Sequence, residues 1–260
     1  MTAGSYPATE DAAGGELLAF RDVTFGYARS APVLNGFSWS VRRGGFHAVL
    51  GPSGSGKTTL LHLAAGLRRP DSGSIVLDGR PVSAPSPRVG LMLQDYGLLP
   101  WFTARRNLEV GLAIAGYGRD ARRQRAGDWL QRLGLSAHAD RYPAQLSGGQ
   151  RQRVALARQF ALSPELLLLD EPLSAVDELT RERLQRQLHG LTRELGTTAV
   201  IVTHNIEEAV LLADTILLVT GDGRISTATE LATPFGGELP RRADAGFQEF
   251  CGQIRERLGA

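Results

Sequence analysis

The residues best able to do chemistry fall in two short stretches. One is Gly51, Pro52, Ser53, Gly54, Ser55, Gly56, Lys57, Thr58 and Thr59; the other is Asp170 and Glu171, which end the apolar run 166–169. Glycines let a backbone curl so that successive N–H groups converge on one anion, and a following helix adds the positive end of its dipole. The spacing Gly51-x4-Gly56-Lys57-Thr58 therefore predicts a phosphate-binding loop. Lys57 would reach the β- and γ-phosphates of a nucleotide, Thr58 would place its hydroxyl on Mg²⁺, and Thr59 would donate to the α-phosphate. Among the 29 lysines and arginines Lys57 is the only lysine, kept where phosphate chemistry uses a compact, reachable ammonium. Asp170 would hold the Mg²⁺ shell, and Glu171 would orient or deprotonate the water that attacks the γ-phosphate. ATP and Mg²⁺ are the cofactors this chemistry calls for.

Such groups need a frame to bring them together. Apolar runs at 17–25, 37–41, 46–50, 74–77, 89–93, 166–169, 199–203 and 216–219 read as strands. Several lack polar alternation, as strands buried on both faces of a mostly parallel sheet do. Leu60, Leu63, Ala64 and Leu67, and later Leu184, Leu188, Leu191 and Leu195, repeat at helical spacing. The phosphate loop thus joins a buried strand to a helix, and the two carboxylates arrive at the sheet's C-terminal edge, where open α/β sheets bind ligands. Residues 96–163 hold much helical pattern and no strong strand signal, so a helical subdomain is expected there, inserted into an α/β core made of 17–95 and 164–235. Residues 1–16 are small, polar and aperiodic and read as a disordered tail. Residues 236–260 read as an amphipathic closing segment, with a helix from Leu239 onward that carries Phe247, Phe250, Ile254 and Leu258.

Composition narrows the classes. A chain of 260 residues suits one large α/β domain or a domain with an insertion. A net charge of +2 does not call for nucleic acid, and the arginine clusters 122–125 and 181–186 read as solvated helix faces. The single cysteine, Cys251, excludes an internal disulfide and a metal site of cysteine type. His47, His62, His138 and His189 have no ligand spacing. No apolar run reaches the roughly 18 residues of a membrane span, so a soluble chain is expected whose membrane role would come through a partner.

The stretch 146–162 opens a helix with Ser147, Gly148, Gly149 and Gln150, a second set of free N–H groups suited to an anion. Leu146-Ser147-Gly148-Gly149-Gln150 resembles the signature of ATP-binding cassette (ABC) ATPases, and the phosphate loop and Asp170-Glu171 stand in the order that family has. The resemblance runs from about residue 17 to 219. It implies an α/β P-loop NTPase core with a mostly parallel sheet, an antiparallel β subdomain and the inserted α-helical subdomain. It further implies that Tyr27 stacks on adenine, that Gln94 senses Mg²⁺ and the attacking water, that 173–177 is the loop after the carboxylates, and that His204 contacts the γ-phosphate. Two copies would pair head to tail, each phosphate loop covered by residues 147–150 of the other.

Other classes answer to the sequence as well. A GTPase would need an Asn-Lys-x-Asp motif, which a chain with one lysine at position 57 cannot supply. A chromosome-maintenance cassette would carry a long coiled-coil insertion before the signature, a ribosome-acting one would have two cassettes, and many exporters are fused to a membrane domain. What remains is a free-standing importer subunit. It would dock on an integral membrane permease at the cytoplasmic face, with an extracytoplasmic solute-binding protein acting indirectly and no nucleic acid. The alternative is a non-transport ATPase with a nucleic-acid or ribosomal partner. Residues 94–101, Thr103 to Asn107, the LPRR at 239–242 and HNIEEAVLLAD at 204–214 resemble nitrate, sulfonate and taurine importers. Asn205 departs from the aspartate usual after the histidine.

Overall fold

The computed structural model describes residues 15–27, 31–174, 176–220, 225, 227–235 and 237–259. Residues 1–14 of the expected tail lie outside them, while Glu16 opens the first strand and pairs with Arg42. The strands in chain order are β1 (Glu16–Phe25), β2 (Leu34–Arg42), β3 (Phe46–Leu50), β4 (Ser72–Leu77), β5 (Arg80–Pro81), β6 (Val89–Met92), β7 (Leu166–Asp170), β8 (Thr198–Thr203), β9 (Thr215–Thr220) and β10 (Thr227–Ala232). The helices are α1 (Lys57–Ala64), α2 (Ala104–Ile114), α3 (Arg119–Arg132), α4 (Gly148–Phe160), α5 (Glu178–Leu195), α6 (Ile206–Leu212) and α7 (Ala245–Leu258).

Two sheets divide the strands. The larger, ordered β10-β9-β3-β8-β7-β6, is parallel except where β10 pairs antiparallel with β9. The smaller, ordered β2-β1-β4-β5, is wholly antiparallel. Strands β3, β7 and β8 are buried at every residue, in keeping with their largely apolar sequences. Their register sets Leu50 opposite Thr203 and Asp170 opposite Val202. The segments that leave these strands, starting at Gly51, Glu171 and His204, therefore emerge together at one edge. Helices α2 to α4 lie in the chain between β6 and β7, within the stretch expected to be helical.

One buried cluster joins the larger sheet to the helices through Phe46, Phe160 and Phe247; a second, with Phe20, Trp39, Leu168 and Val200, fills the space between the sheets. Each such side chain contributes roughly 1.5–3 kcal/mol of burial. The structure departs from the sequence reading at element ends and at two weak strands. Helix α1 stops at Ala64 because Gly66 turns the chain at φ 72°, and Leu67 is left exposed. Leu195, at the end of α5, is likewise exposed. Helix α7 begins at Ala245, six residues after Leu239, because Pro240 cannot donate into a helix. Its Phe247 and Ile254 are buried and its Phe250 and Leu258 partly so. β5 has only two residues, and β10 (TATELA) lacks an apolar run.

A charged cluster ties the far end of the larger sheet to the smaller one. Arg88, just before β6, donates to Glu165 at 2.5 and 2.7 Å and to Asp78 at 2.6 Å, and Arg43 also reaches Asp78. The Arg88 guanidinium holds both carboxyls below their usual range. Depressed carboxylates stabilise the fold above the unfolded value, near roughly pH 4, and that contribution is lost as pH falls through the lower folded values. These groups are partly exposed, so Arg88→Met should cost about 1 kcal/mol at pH 7. Denaturant unfolding should show that difference shrinking as pH falls below the unfolded carboxylate value.

Candidate active site

Residues 51–56 curl between the end of β3 and the start of α1. Gly54 and Gly56 take φ of 80° and 93°, a region glycine occupies without strain. A Cβ at Gly51 would stand 2.6 Å from the Val219 carbonyl oxygen, and one at Gly56 would stand 2.4 Å from Val33 Cγ1. Each glycine is thus fixed by space or conformation. The buried Lys57 ammonium donates to the carbonyls of Gly51 (2.9 Å) and Pro52 (2.6 Å) and to Ser55 Oγ (3.4 Å). Burial lowers its pKa, while Glu171 and Asp170 oppose that. Ser53 lies exposed on the loop.

The carboxylates stand where the register puts them. Thr58 Oγ1 donates to Asp170 Oδ2 at 2.9 Å, which links phosphate loop and β7 directly. Burial pushes the Asp170 carboxyl up, and the Thr58 bond pulls it back. Glu171 has φ 43°, uncommon for a residue with a side chain, and is held there by its N–H donating to Val202 O and by Ser174 Oγ donating to its carbonyl. Its carboxylate receives Gln94 Nε2 on Oε2 (3.4 Å) and faces His204 Nδ1 across 3.0 Å on Oε1. A carboxylate only accepts, so Nδ1 carries the proton. Lys57, Thr58, Asp170, Glu171, Gln94 and His204, distant in sequence, thus form one site.

Tyr27 and Thr59 meet through their hydroxyls at 3.1 Å. The Tyr27 ring lies edge-on to Phe25, with the Arg68 guanidinium 5.6 Å from its centroid. Ser147 caps α4 in a reciprocal arrangement: its Oγ accepts from Gln150 N–H, and Gln150 Oε1 accepts from Ser147 N–H. Gly148 and Gly149 are left as the free donors of that first turn. Beside them lies a cavity of about 220 Å³, lined by Ser147, Arg153, Thr180 and Arg183 among others. Among the described residues no hydrogen bond joins residues 147–150 to residues 51–59, so this second anion-suited helix start stands apart from the first within one copy.

Three positioning residues escaped the sequence reading. Arg181, assigned there to a solvated face, donates to the carbonyls of Leu173 and Val176 and so holds the loop after the carboxylates; Ala175 of that loop lies outside the described residues. Arg158 donates to the carbonyls of Tyr96 and Gly97, beside Gln94. Buried Asn107 accepts from Leu99 N–H and donates to the carbonyls of Leu99, Phe102 and Thr103. A polar residue within helical periodicity, in register with a motif, is the only signal that could have found them.

The donor set suits a hard cation delivered with phosphates. Among the described residues no three His, Cys, Asp or Glu cluster to hold a metal ion. Thr58 and Asp170 supply a hydroxyl and one carboxylate, all that Mg²⁺ needs when phosphate oxygens and water complete its shell.

A strand-to-helix phosphate loop facing an Asp-Glu strand end, on a parallel sheet of this order, defines a P-loop nucleotide hydrolase. The model of the ABC transporter family matches residues 34–174, and the chain belongs to that family as an ATP-binding ATPase. It is 44% identical over 234 residues to the taurine import ATP-binding protein TauB of Yersinia pestis, across 88% of this chain and 91% of that protein. It is 44% identical over 209 residues to the nitrate import ATP-binding protein NrtC of Synechococcus elongatus, across 80% of this chain but 30% of that longer protein. Among solved structures it resembles the dimeric, post-hydrolysis cassette MJ0796 bound to ADP and phosphate, with TM-score 0.73 and 31% identity over 82% of this chain and 98% of that one. It also resembles cbiO1 of Clostridium perfringens, part of the transporter complex cbiONQ, with TM-score 0.75 and 26% identity over 94% and 96% of the two chains.

Gly56→Ala tests the loop's geometry. The methyl meets Val33 in a conformation L residues avoid, so unfolding stability should fall by about 1–3 kcal/mol. Nucleotide affinity in a fluorescent-ATP titration should fall at least about tenfold, and a variant binding like wild type would show that the curl does not depend on glycine.

Proposed function

We propose that the chain is the ATP-hydrolysing subunit of an importer for a small solute of the nitrate, sulfonate or taurine kind. It would energise a separate membrane permease from the cytoplasmic face, with an extracytoplasmic binding protein delivering the solute. The observation that carries the hydrolytic half is the Glu171 carboxylate, held between Gln94 and His204 beside the Thr58–Asp170 pair. The importer half is supported by the TauB and NrtC likenesses. Among the described residues no helix is long and apolar enough to cross a membrane, which fits a permease on another chain.

In this reading residues 51–59 cradle the triphosphate, with Lys57 on the β- and γ-phosphates and Tyr27 against the base. Mg²⁺, when bound through Thr58 and Asp170, supplies charge neutralisation on the phosphates. Glu171 accepts the proton of the attacking water, which Gln94 helps to orient. His204, whose Nδ1 faces Glu171, contacts the γ-phosphate. Residues 147–150 serve the nucleotide of a second copy paired head to tail, a pairing supported by the dimeric MJ0796 cassette. The chain divides in function into a core (17–95 and 164–235), a helical subdomain (96–163) and a closing segment (236–260). Trp101, 65% exposed beside the Gln94 loop, is where the helical subdomain would meet a permease helix.

Glu171→Gln keeps the shape and removes the base. ATP binding should persist, turnover should fall by at least about a hundredfold, and an ATP-dependent dimer should accumulate in size-exclusion chromatography. Hydrolysis at the wild-type rate would remove Glu171 from its role. With the permease and binding protein present, stimulation of hydrolysis by one small oxyanion would identify the solute, and stimulation only by nucleic acid or ribosomes would sink the importer reading.

A further inference from the structure

Arg242 lies between β10 and α7, and its guanidinium reaches two helices at once. Nη2 donates to Gln185 Oε1 on α5 at 3.2 Å. Nη1 stands 3.4 Å from Glu178 and 3.5 Å from Glu182 on the same helix, and Nε stands 3.9 Å from Glu207 on α6. Helix α5 starts where the loop after the carboxylates ends, and α6 starts two residues beyond His204. One cation from the closing segment therefore spans the two helices that carry active-site loops. The carboxylate contacts are partly solvated and individually weak. The contact with Gln185 differs, because that side chain is wholly buried.

An amide has one accepting and one donating end, and a guanidinium only donates. Arg242 thus holds Gln185 Oε1 toward itself and turns Nε2 inward, toward the buried carboxyl of Glu208, which Gln185 and Thr203 flank. Gln185 Nε2 and Glu208 Oε1 are both buried without a hydrogen-bond partner among the described residues, so the direction in which the amide points decides whether Glu208 faces a donor or a second acceptor. Glu208 in turn belongs to the turn that carries His204. Its N–H donates to Asn205 Oδ1 at 3.1 Å, and Asn205 N–H donates to Thr203 Oγ1 at 3.0 Å. Between Thr203 and Asn205, His204 reaches Glu171.

We propose that Arg242 is a positioning residue for the active site: by orienting the Gln185 amide toward Glu208 it fixes the turn 203–205, and with it the His204 imidazole against Glu171. The closing segment is then part of the hydrolytic apparatus as well as a cover for the core. This rests on the reading of Glu171 and His204 as hydrolytic groups.

Steady-state ATP hydrolysis by the full chain, with thermal unfolding recorded in parallel, tests it in Arg242→Met, Arg242→Lys and the double variant Arg242→Met with Gln185→Met. Arg242→Met keeps the apolar stem and removes the donors. Its kcat should fall about tenfold while KM for ATP stays within about twofold, because the phosphate loop is untouched. Arg242→Lys, which still offers a donor to Gln185 Oε1, should recover most of the rate. The double variant should lose no more kcat than Arg242→Met alone, because both changes break one contact. A wild-type kcat in Arg242→Met would overturn the proposal, as would a loss that follows the melting temperature and is not rescued by lysine. Absence of hydrolysis in the wild-type chain would overturn the ATPase reading and this proposal together, whereas normal hydrolysis in Arg242→Met overturns this proposal alone.

Discussion

Everything at the site depends on the parallel register of β3, β8 and β7. Pairing Leu50 with Thr203 and Asp170 with Val202 makes three strands end on one line. A slip of one residue would turn every side chain to the opposite face, moving the carboxylates away from the phosphate loop. The register is held by a continuous apolar interior, since each of these strands is buried throughout. Packing that has nothing to do with nucleotides therefore sets the geometry of the chemistry.

Burial at that line works against charge. Lys57 and Asp170 are both pushed toward their neutral forms by loss of water, and each is brought back by near neighbours: the ammonium by the two carboxylates, the aspartate chiefly by the Thr58 hydroxyl. Under the proposed function such a set would receive a triphosphate and a divalent cation, whose charges would complete the neutralisation the protein leaves unfinished. The left-handed backbone of Glu171 belongs to the same economy of space, because it turns the carboxylate back toward Gln94 and His204.

How much of this could be read beforehand differs by residue. The phosphate loop was legible because its glycines and lysine are close in sequence and their spacing alone encodes the curl. Strands β3, β7 and β8 were legible because burial on both faces leaves a largely apolar run with no polar alternation. The meeting of Thr58 with Asp170 was legible because both were placed on one Mg²⁺ at the sheet's edge, whereas the place of Gln94 beside Glu171 was supplied by the family resemblance, since no local pattern encodes a contact across 77 positions. Arg158, Arg181 and Asn107 were hidden for a related reason: they bond to backbone carbonyls, which carry no signature in the side-chain sequence. Strand β10 was missed because it borders the sheet and needs no apolar run, and the late start of α7 shows a proline overruling an amphipathic pattern.

The start of α4 carries a final consequence. Ser147 and Gln150 satisfy each other's N–H groups, and Gln150 Nε2, opposite the oxygen that takes the Ser147 proton, donates to His138 Nε2 at 3.0 Å. That helix end is complete in a solitary copy and needs no anion to hold its first turn together. Whatever lands on Gly148 and Gly149 meets a surface already formed and can leave without unravelling it. In a dimer built on that contact the two halves would meet as finished parts and separate as finished parts, so that association can be repeated at every cycle.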